Sequence, residues 1–391
     1  MRMRPPTSSR ALLGAALLLL PGCMTSKSSG PSASDAPSSQ AATAPGNGWR
    51  NARVGDTVTY AFSAHQGSME RGGTPRALKG RVTLAVVAVQ RPWVWLQLSF
   101  KDEAGQALPQ TRLAQDVVLP VRADETHPIE VAPLGEPTAE RATVAQRTWE
   151  GLRYVKDDRP VDGNLVSRLY TKEPGPLYLT RGLLQAATES AGFRVPGGLS
   201  LDLLEFKAGE DSASGAVPSL ERPLGPGTWY DRRVDMEPAP TLQRVCFGAE
   251  RGYLLRTERP IDTQAAPCTD LAEAEAEPLE EVLMGMAWEA LTAGDWPPPS
   301  VASGTPGTFS VEGHEVPTIG VQRTVNEEGI QRVYSETVAA DPWSPQLSGL
   351  AREARFQTLS AGTERVSPGG KRESEESTRL VRWGSWLEGA K

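Results

Sequence analysis

From Trp49 onward the apolar positions alternate with polar ones over short stretches, the period of half-buried strands. Val54, Thr57-Val58-Thr59-Tyr60 and Phe62 give a first strand. The run Arg81–Val89 gives a second, Gln90-Arg91-Pro92 a turn, and Trp93–Phe100 a third. On that third strand Val94, Leu96, Leu98 and Phe100 share one face, which predicts core. Trp93, Trp95, Gln97 and Ser99 share the other. Two tryptophans among polar residues predict a sheet face covered by packing. The alternative is a surface for an apolar ligand at Trp93 and Trp95. Apolar residues on both faces of Val82–Val89 sharpen that choice, because a curved sheet must cover its inner side with side chains or with a ligand.

Two later regions share an order of short elements. Arg168-Leu169-Tyr170-Thr171 pairs with Arg332-Val333-Tyr334-Ser335, and Gly182-Leu183 with Gly349-Leu350. Arg194-Val195-Pro196-Gly197-Gly198 pairs with Arg365-Val366-Ser367-Pro368-Gly369-Gly370, and each copy closes on an apolar strand. Residues 150–207 and 315–384 are therefore expected to form the same succession of antiparallel strands, as products of duplication. Tyr170 and Tyr334 should be equivalent, both Gly-Gly pairs should lie in turns, and Lys371–Ser377 should bulge from a longer hairpin.

Helical period occurs once with clear ends. Leu279, Val282, Leu283, Met286, Ala287, Ala290 and Leu291 make one stripe over 279–293. Pro278, Glu280 and Glu281 suit its first turn and Gly294 its end. Only Thr111–Leu119 offers a short counterpart in the first copy. Gly209–Pro226, rich in Gly, Ser and Pro, marks the boundary between copies. The pattern as a whole predicts a mainly β (β-rich α+β) fold: two tandem antiparallel, curved sheet modules with a few helices, spanning 49–215 and 216–391.

Composition sharpens this reading at three points. Gly 38 and Pro 33 suit many strands joined by turns. A net charge of −7 without a basic cluster excludes nucleic acid as the expected partner. Three cysteines leave Cys246 and Cys268 as a pair once Cys23 is set aside. In an oxidising compartment that pair predicts a disulfide, contributing roughly 3 kcal/mol in the chain-entropy description.

Cys23 is set aside for what precedes it. Arg2, Arg4 and Arg10 lead into the apolar run Ala11–Leu20, too short to span a bilayer as a helix. Leu20-Pro21-Gly22-Cys23 at its end resembles the lipobox of bacterial lipoproteins. The resemblance implies a signal peptide over 1–22, a diacylglyceryl group on Cys23, cleavage before it and acylation of the new amino group. With Met24 rather than Asp after the cysteine, it also implies the outer membrane. Residues 23–48 then read as the lipidated cysteine and a disordered Ser/Ala/Pro/Gly tether. Membrane attachment through Cys23 is the expected partner interaction, with an envelope protein or a lipid as the next.

Chemistry-bearing motifs are sparse. His65, His127 and His314 stand far apart, and His314-Glu315 lacks the second His of a zinc-protease helix, with Thr318 in its place. No nucleophile elbow, phosphate loop or Ser-x-x-Lys motif occurs. The sequence thus names no catalytic residue, metal ligand set or cofactor site. The expected function is a non-enzymatic, lipid-anchored envelope protein with an interaction role. The strand–turn–strand run around Arg168–Leu179 resembles the half-barrel sheets of periplasmic lipoprotein carriers, which implies a carrier or sensor of an apolar ligand as the alternative. A hydrolase built from unassigned carboxylates is the third reading.

Overall fold

The structure is a computed structural model. It describes residues 46–387 apart from 69–72, 127–128, 130–133, 162, 191–195, 211–214, 237–238, 263–267, 269–270, 272, 328–329 and 368. The leader, Cys23, most of the tether and His127 lie outside the described residues.

The first half holds β1 (Thr57–Gln66), β2 (Arg76–Gln90), β3 (Trp93–Lys101), β4 (Val117–Arg122), β5 (Thr138–Val144), β6 (Arg147–Asp157), β7 (Asn164–Thr171), β8 (Leu183–Ser190) and β9 (Gly197–Lys207). The second holds β10 (Thr228–Met236), β11 (Thr241–Glu250), β12 (Tyr253–Ile261), β13 (Glu275–Pro278), β14 (Thr305–Val311), β15 (His314–Glu327), β16 (Ile330–Ala339), β17 (Ser360–Val366) and β18 (Arg372–Ser385). Antiparallel pairing orders the first set β5-β6-β7-β8-β9-β1-β2-β3-β4. It orders the second β14-β15-β16-β17-β18-β10-β11-β12-β13. The second order is the first with every strand advanced by nine. The fold is thus mainly β, in two tandem antiparallel sheets. A short parallel contact of Glu250 with Arg122 joins them, and Val118 also bridges to Pro223 in the connection between the halves.

The repeat holds at the level of strands and shifts at the level of residues. Tyr170 is the second-last residue of β7 and faces Leu183, whereas Tyr334 sits mid-β16 facing Thr363. The tetrads lie on equivalent strands in different register. Gly369-Gly370 does lie in a turn, with Gly370 at φ +79° and its N–H on Ser367 O. Gly197-Gly198 instead begins β9, where a Cβ would meet Trp288 at 2.8 Å and His65 at 2.5 Å. Close approach, rather than turn chemistry, requires glycine there. Lys371 lies at the turn, and Arg372–Ser377 does not form a longer loop but belongs to β18, with Glu375 the extra residue where the register against β17 shifts. Its charges are paired across strands, Arg372 with Glu364 and Glu375 with Arg332. Thr111–Leu119 is turn and the start of β4, because its apolar residues Val117 and Leu119 complete the sheet beside β3.

The predicted hairpin is present: Val82 faces Phe100, Leu84 faces Leu98 and Val86 faces Leu96. A bulge at Val87 then shifts the register. These residues and Val58, Tyr60 and Phe62 of β1 are buried in one large core. The predicted helix becomes α2 (Leu279–Thr292); α1 (Gly46–Arg50) and α3 (Arg352–Arg355) are short. Pro278 precedes α2 rather than entering its first turn, and Met284 is buried where Val282 is only half-buried. Leu279, Leu283, Met284, Ala287 and Leu291 pack into the core of the first sheet, although α2 comes from the second half of the chain. Trp343 and Phe356 cross over in the same way. The second sheet keeps a smaller core around Tyr230, Phe247, Phe309, Leu350 and Leu380. Residues 45–391 accordingly form one compact unit.

Candidate functional site

The apolar face of the first sheet, expected as core, is covered by α2. Polar side chains fix the helix at both ends. Arg168 of β7 is buried and uses all five of its donors. Nε and Nη2 reach the two carboxylate oxygens of Glu281 at 2.6 and 2.7 Å. Nη1 donates to Ser167 O and Ala187 O, and Nη2 also to Thr188 Oγ1. Glu280, fully buried, accepts from the Tyr170 hydroxyl at 2.6 Å and pairs with Arg181, which also donates to Tyr253 at 2.7 Å. Arg181 reaches this position because it ends a turn of 3₁₀ helix (Gly175–Thr180) at φ 55°, ahead of Gly182 at φ 87°. Burial, then the Glu280 charge, pushes the Tyr170 hydroxyl well up, so it stays a neutral donor. At the far end Glu289 receives Arg112 and Arg352, which both stack on Phe356.

The Arg-aliphatic-Tyr-hydroxyl tetrad thus holds a helix in the first half. Arg332 of the second copy binds Glu375 instead. Sequence reasoning assigned Glu280 and Glu281 only to the helix dipole and gave Arg168, Arg181 and Tyr253 no role. The arginine-before-tyrosine spacing on a predicted strand was the one available signal.

In the second sheet Asp231 is fully buried between two arginines that face it across neighbouring strands. Arg244 binds both its oxygens, at 2.7 and 2.9 Å, and Arg382 reaches Oδ2 at 2.5 Å. Trp229 lies under Arg244, ring centroid 4.0 Å away. The buried carboxylates of Glu280 and Asp231 are thus each paired with arginine. Among the described residues no three His, Cys, Asp or Glu side chains gather as metal ligands.

Glu277 differs. Desolvation, then the Glu281 and Glu353 carboxylates, push it up to about 7. A carboxyl raised in the folded state contributes stability that is present in acid and is lost as pH rises from the ordinary value of 4.5 through about 7. Glu277 keeps contact with solvent, so the effect is screened to about 1 kcal/mol or less. Glu277→Gln is expected to match the parent at pH 4 and to be slightly more stable at pH 8. Identical pH profiles in urea titrations would refute this.

The predicted cysteine pair is bonded, Cys246 to Cys268, with Cα atoms 5.6 Å apart. Trp93 and Trp95 separate in role. Trp93 is half-buried, edge-on to Trp386 and under Arg122. Trp95 is 2% exposed and lines a cavity of about 700 Å³. A second cavity of about 850 Å³ opens beside α1, with Arg53, Asp56 and Tyr178 in its wall. There Asp56 is already taken by the Tyr178 hydroxyl and the Gly209 and Arg53 N–H groups.

Compared with known families, residues 3–391 match one described as a family of unknown function, DUF6068. The chain belongs to the DUF6068 family. No curated protein matches this DUF6068 chain. Among solved structures it is similar to MucB in complex with MucA(peri), at 11% identity and TM-score 0.23, over 72% of this chain and 87% of that one. The Pseudomonas aeruginosa MucA/MucB complex gives 12% and 0.22 over 77% and 93%. A DUF3598 protein from Nostoc punctiforme gives 10% and 0.16 over 85% and 97%. These overlays are too loose to carry an argument about fold or function.

Proposed function

We propose that this DUF6068 protein is a lipid-anchored cell-envelope protein of the outer membrane, with a non-enzymatic interaction role. The observation that carries the reading is the Cys246–Cys268 bond, which fits an oxidising compartment, in a chain whose residues 1–22 resemble an export leader placed before Cys23. Two or more acyl chains on Cys23 would hold the body at the membrane stably, since one chain alone binds only marginally. Among the described residues no helix is long and apolar enough to cross a membrane.

Fractionation tests the anchor. The wild-type protein is expected in the membrane pellet, and Cys23→Ala is expected to remove at least nine-tenths of the acyl-modified protein from it. Equal amounts of acylated protein in both pellets would overturn the reading. The carrier alternative keeps one specific support. The first sheet's apolar face is filled by α2, but a separate cavity lies beside Trp95.

A further inference from the structure

We infer that the Trp95 cavity is a binding site for a small uncharged molecule with an apolar body. The inference rests on the carrier reading and places it at Trp95, one of the two tryptophans first expected to meet an apolar ligand. The cavity forms where three separate parts of the chain meet. Val89, Gln90 and Trp95 come from the β2–β3 hairpin, Gly215 and residues 217–220 from the connection between the halves, and Ser385 and Leu387 from the end of β18 and just beyond it. The cavity volume, about 700 Å³, falls within the range of small-molecule pockets.

The walls are held in place. The bulge at Val87 turns its carbonyl toward the connection, and a Cβ at Gly215 (φ +65°) would lie 2.1 Å from that oxygen. Only glycine lets the connection approach so closely. On the other side Trp386 donates its backbone N–H to Gly227 O and its indole N–H to Phe247 O, which fixes the residues flanking it, Ser385 and Leu387.

Chemistry then defines the occupant. None of the described residues lining the cavity is charged, in a chain with 23% charged residues. An ionic ligand would lose its hydration with no counter-charge to replace it. The apolar wall is Val89, Trp95, Val217, Leu220 and Leu387, and Gln90, Ser219 and Ser385 are its neutral polar groups. Trp95 is nearly inaccessible to solvent yet belongs to neither hydrophobic core, and its indole N–H has no hydrogen-bond partner among the described residues. The indole nitrogen itself lies out of reach of water, so Trp95 contributes the apolar part of its ring to the wall. Val217, 40% exposed, stands at the rim.

Photolabelling of the purified full chain tests this. Benzophenone is neutral, apolar and carries one carbonyl acceptor; 4-benzoylbenzoate is its anionic analogue. After irradiation and digestion, benzophenone adducts are expected on peptides containing Trp95, Val217–Leu220 or Leu387, at least tenfold above 4-benzoylbenzoate. Val217→Arg places a cation at the rim without touching either core. It is expected to reduce those adducts at least tenfold at an unchanged melting temperature, whereas Val217→Ala keeps them. Adducts spread over the surface, equal labelling by the two probes, or undiminished labelling of Val217→Arg would each overturn the inference. Labelling reads only the cavity and membrane release reads only the anchor, so failure of one leaves the other distinguishable.

Discussion

Asp231→Ala is expected to destabilise the protein by about 3–5 kcal/mol, because it leaves Arg244, 3% exposed, and Arg382 with uncompensated charge. The loss belongs to the broken set and not to the set's net worth. Replacing all three members by apolar residues of similar volume, Asp231→Leu with Arg244→Met and Arg382→Met, is expected to recover most of it. Urea unfolding of the parent, the single variant and the triple variant checks both statements. A single-variant loss below about 1 kcal/mol would mean that water reaches the three charges.

Leu283→Asp is expected to exceed about 4 kcal/mol, since it places a carboxylate without a partner in the core of the first sheet. Its consequence should be global. α2 belongs by chain to the second half and by packing to the first. It is tied to the first sheet through Glu280 and Glu281, and to the α3 segment through Glu289 and Arg352. Hydrogen exchange is therefore expected to show β1–β3 and β10–β12 losing protection together, in one transition. Protection that survives in β10–β12 after β1–β3 have opened would show that the helix is no shared element. Leu283→Ala, expected to lose about 2–5 kcal/mol, gives the same comparison in a variant that still folds.

Much of this architecture was legible in the sequence for a physical reason. Strand alternation and turn chemistry are local, so the hairpin of β2 and β3, the stripe of α2 and the matched order of elements in the two halves could be read residue by residue. Register is not local. Tyr170 and Tyr334 occupy similar motifs but lie at different heights on equivalent strands, because the connection after each strand, and not the motif, sets the pairing. Gly197-Gly198 looked like a turn because the pressure on it comes from Trp288 and His65, distant in sequence. The site was least legible. Glu280 and Glu281 carry a dipole signal that any helix start can carry, while their arginine partners lie about a hundred residues earlier. Trp95 was singled out with Trp93 by a shared strand face. The bulge at Val87 and the connection at Gly215 then enclosed one of them and left the other beside Trp386.

The exported, lipid-anchored reading is tested most directly by the N-terminal peptide of the protein isolated from the membrane fraction. Mass spectrometry is predicted to find a chain that begins at Cys23 with a diacylglyceryl group on its sulfur. An unmodified Cys23 thiol in the mature membrane-fraction protein, or a peptide running unbroken from Leu20 through Met24, would contradict the account.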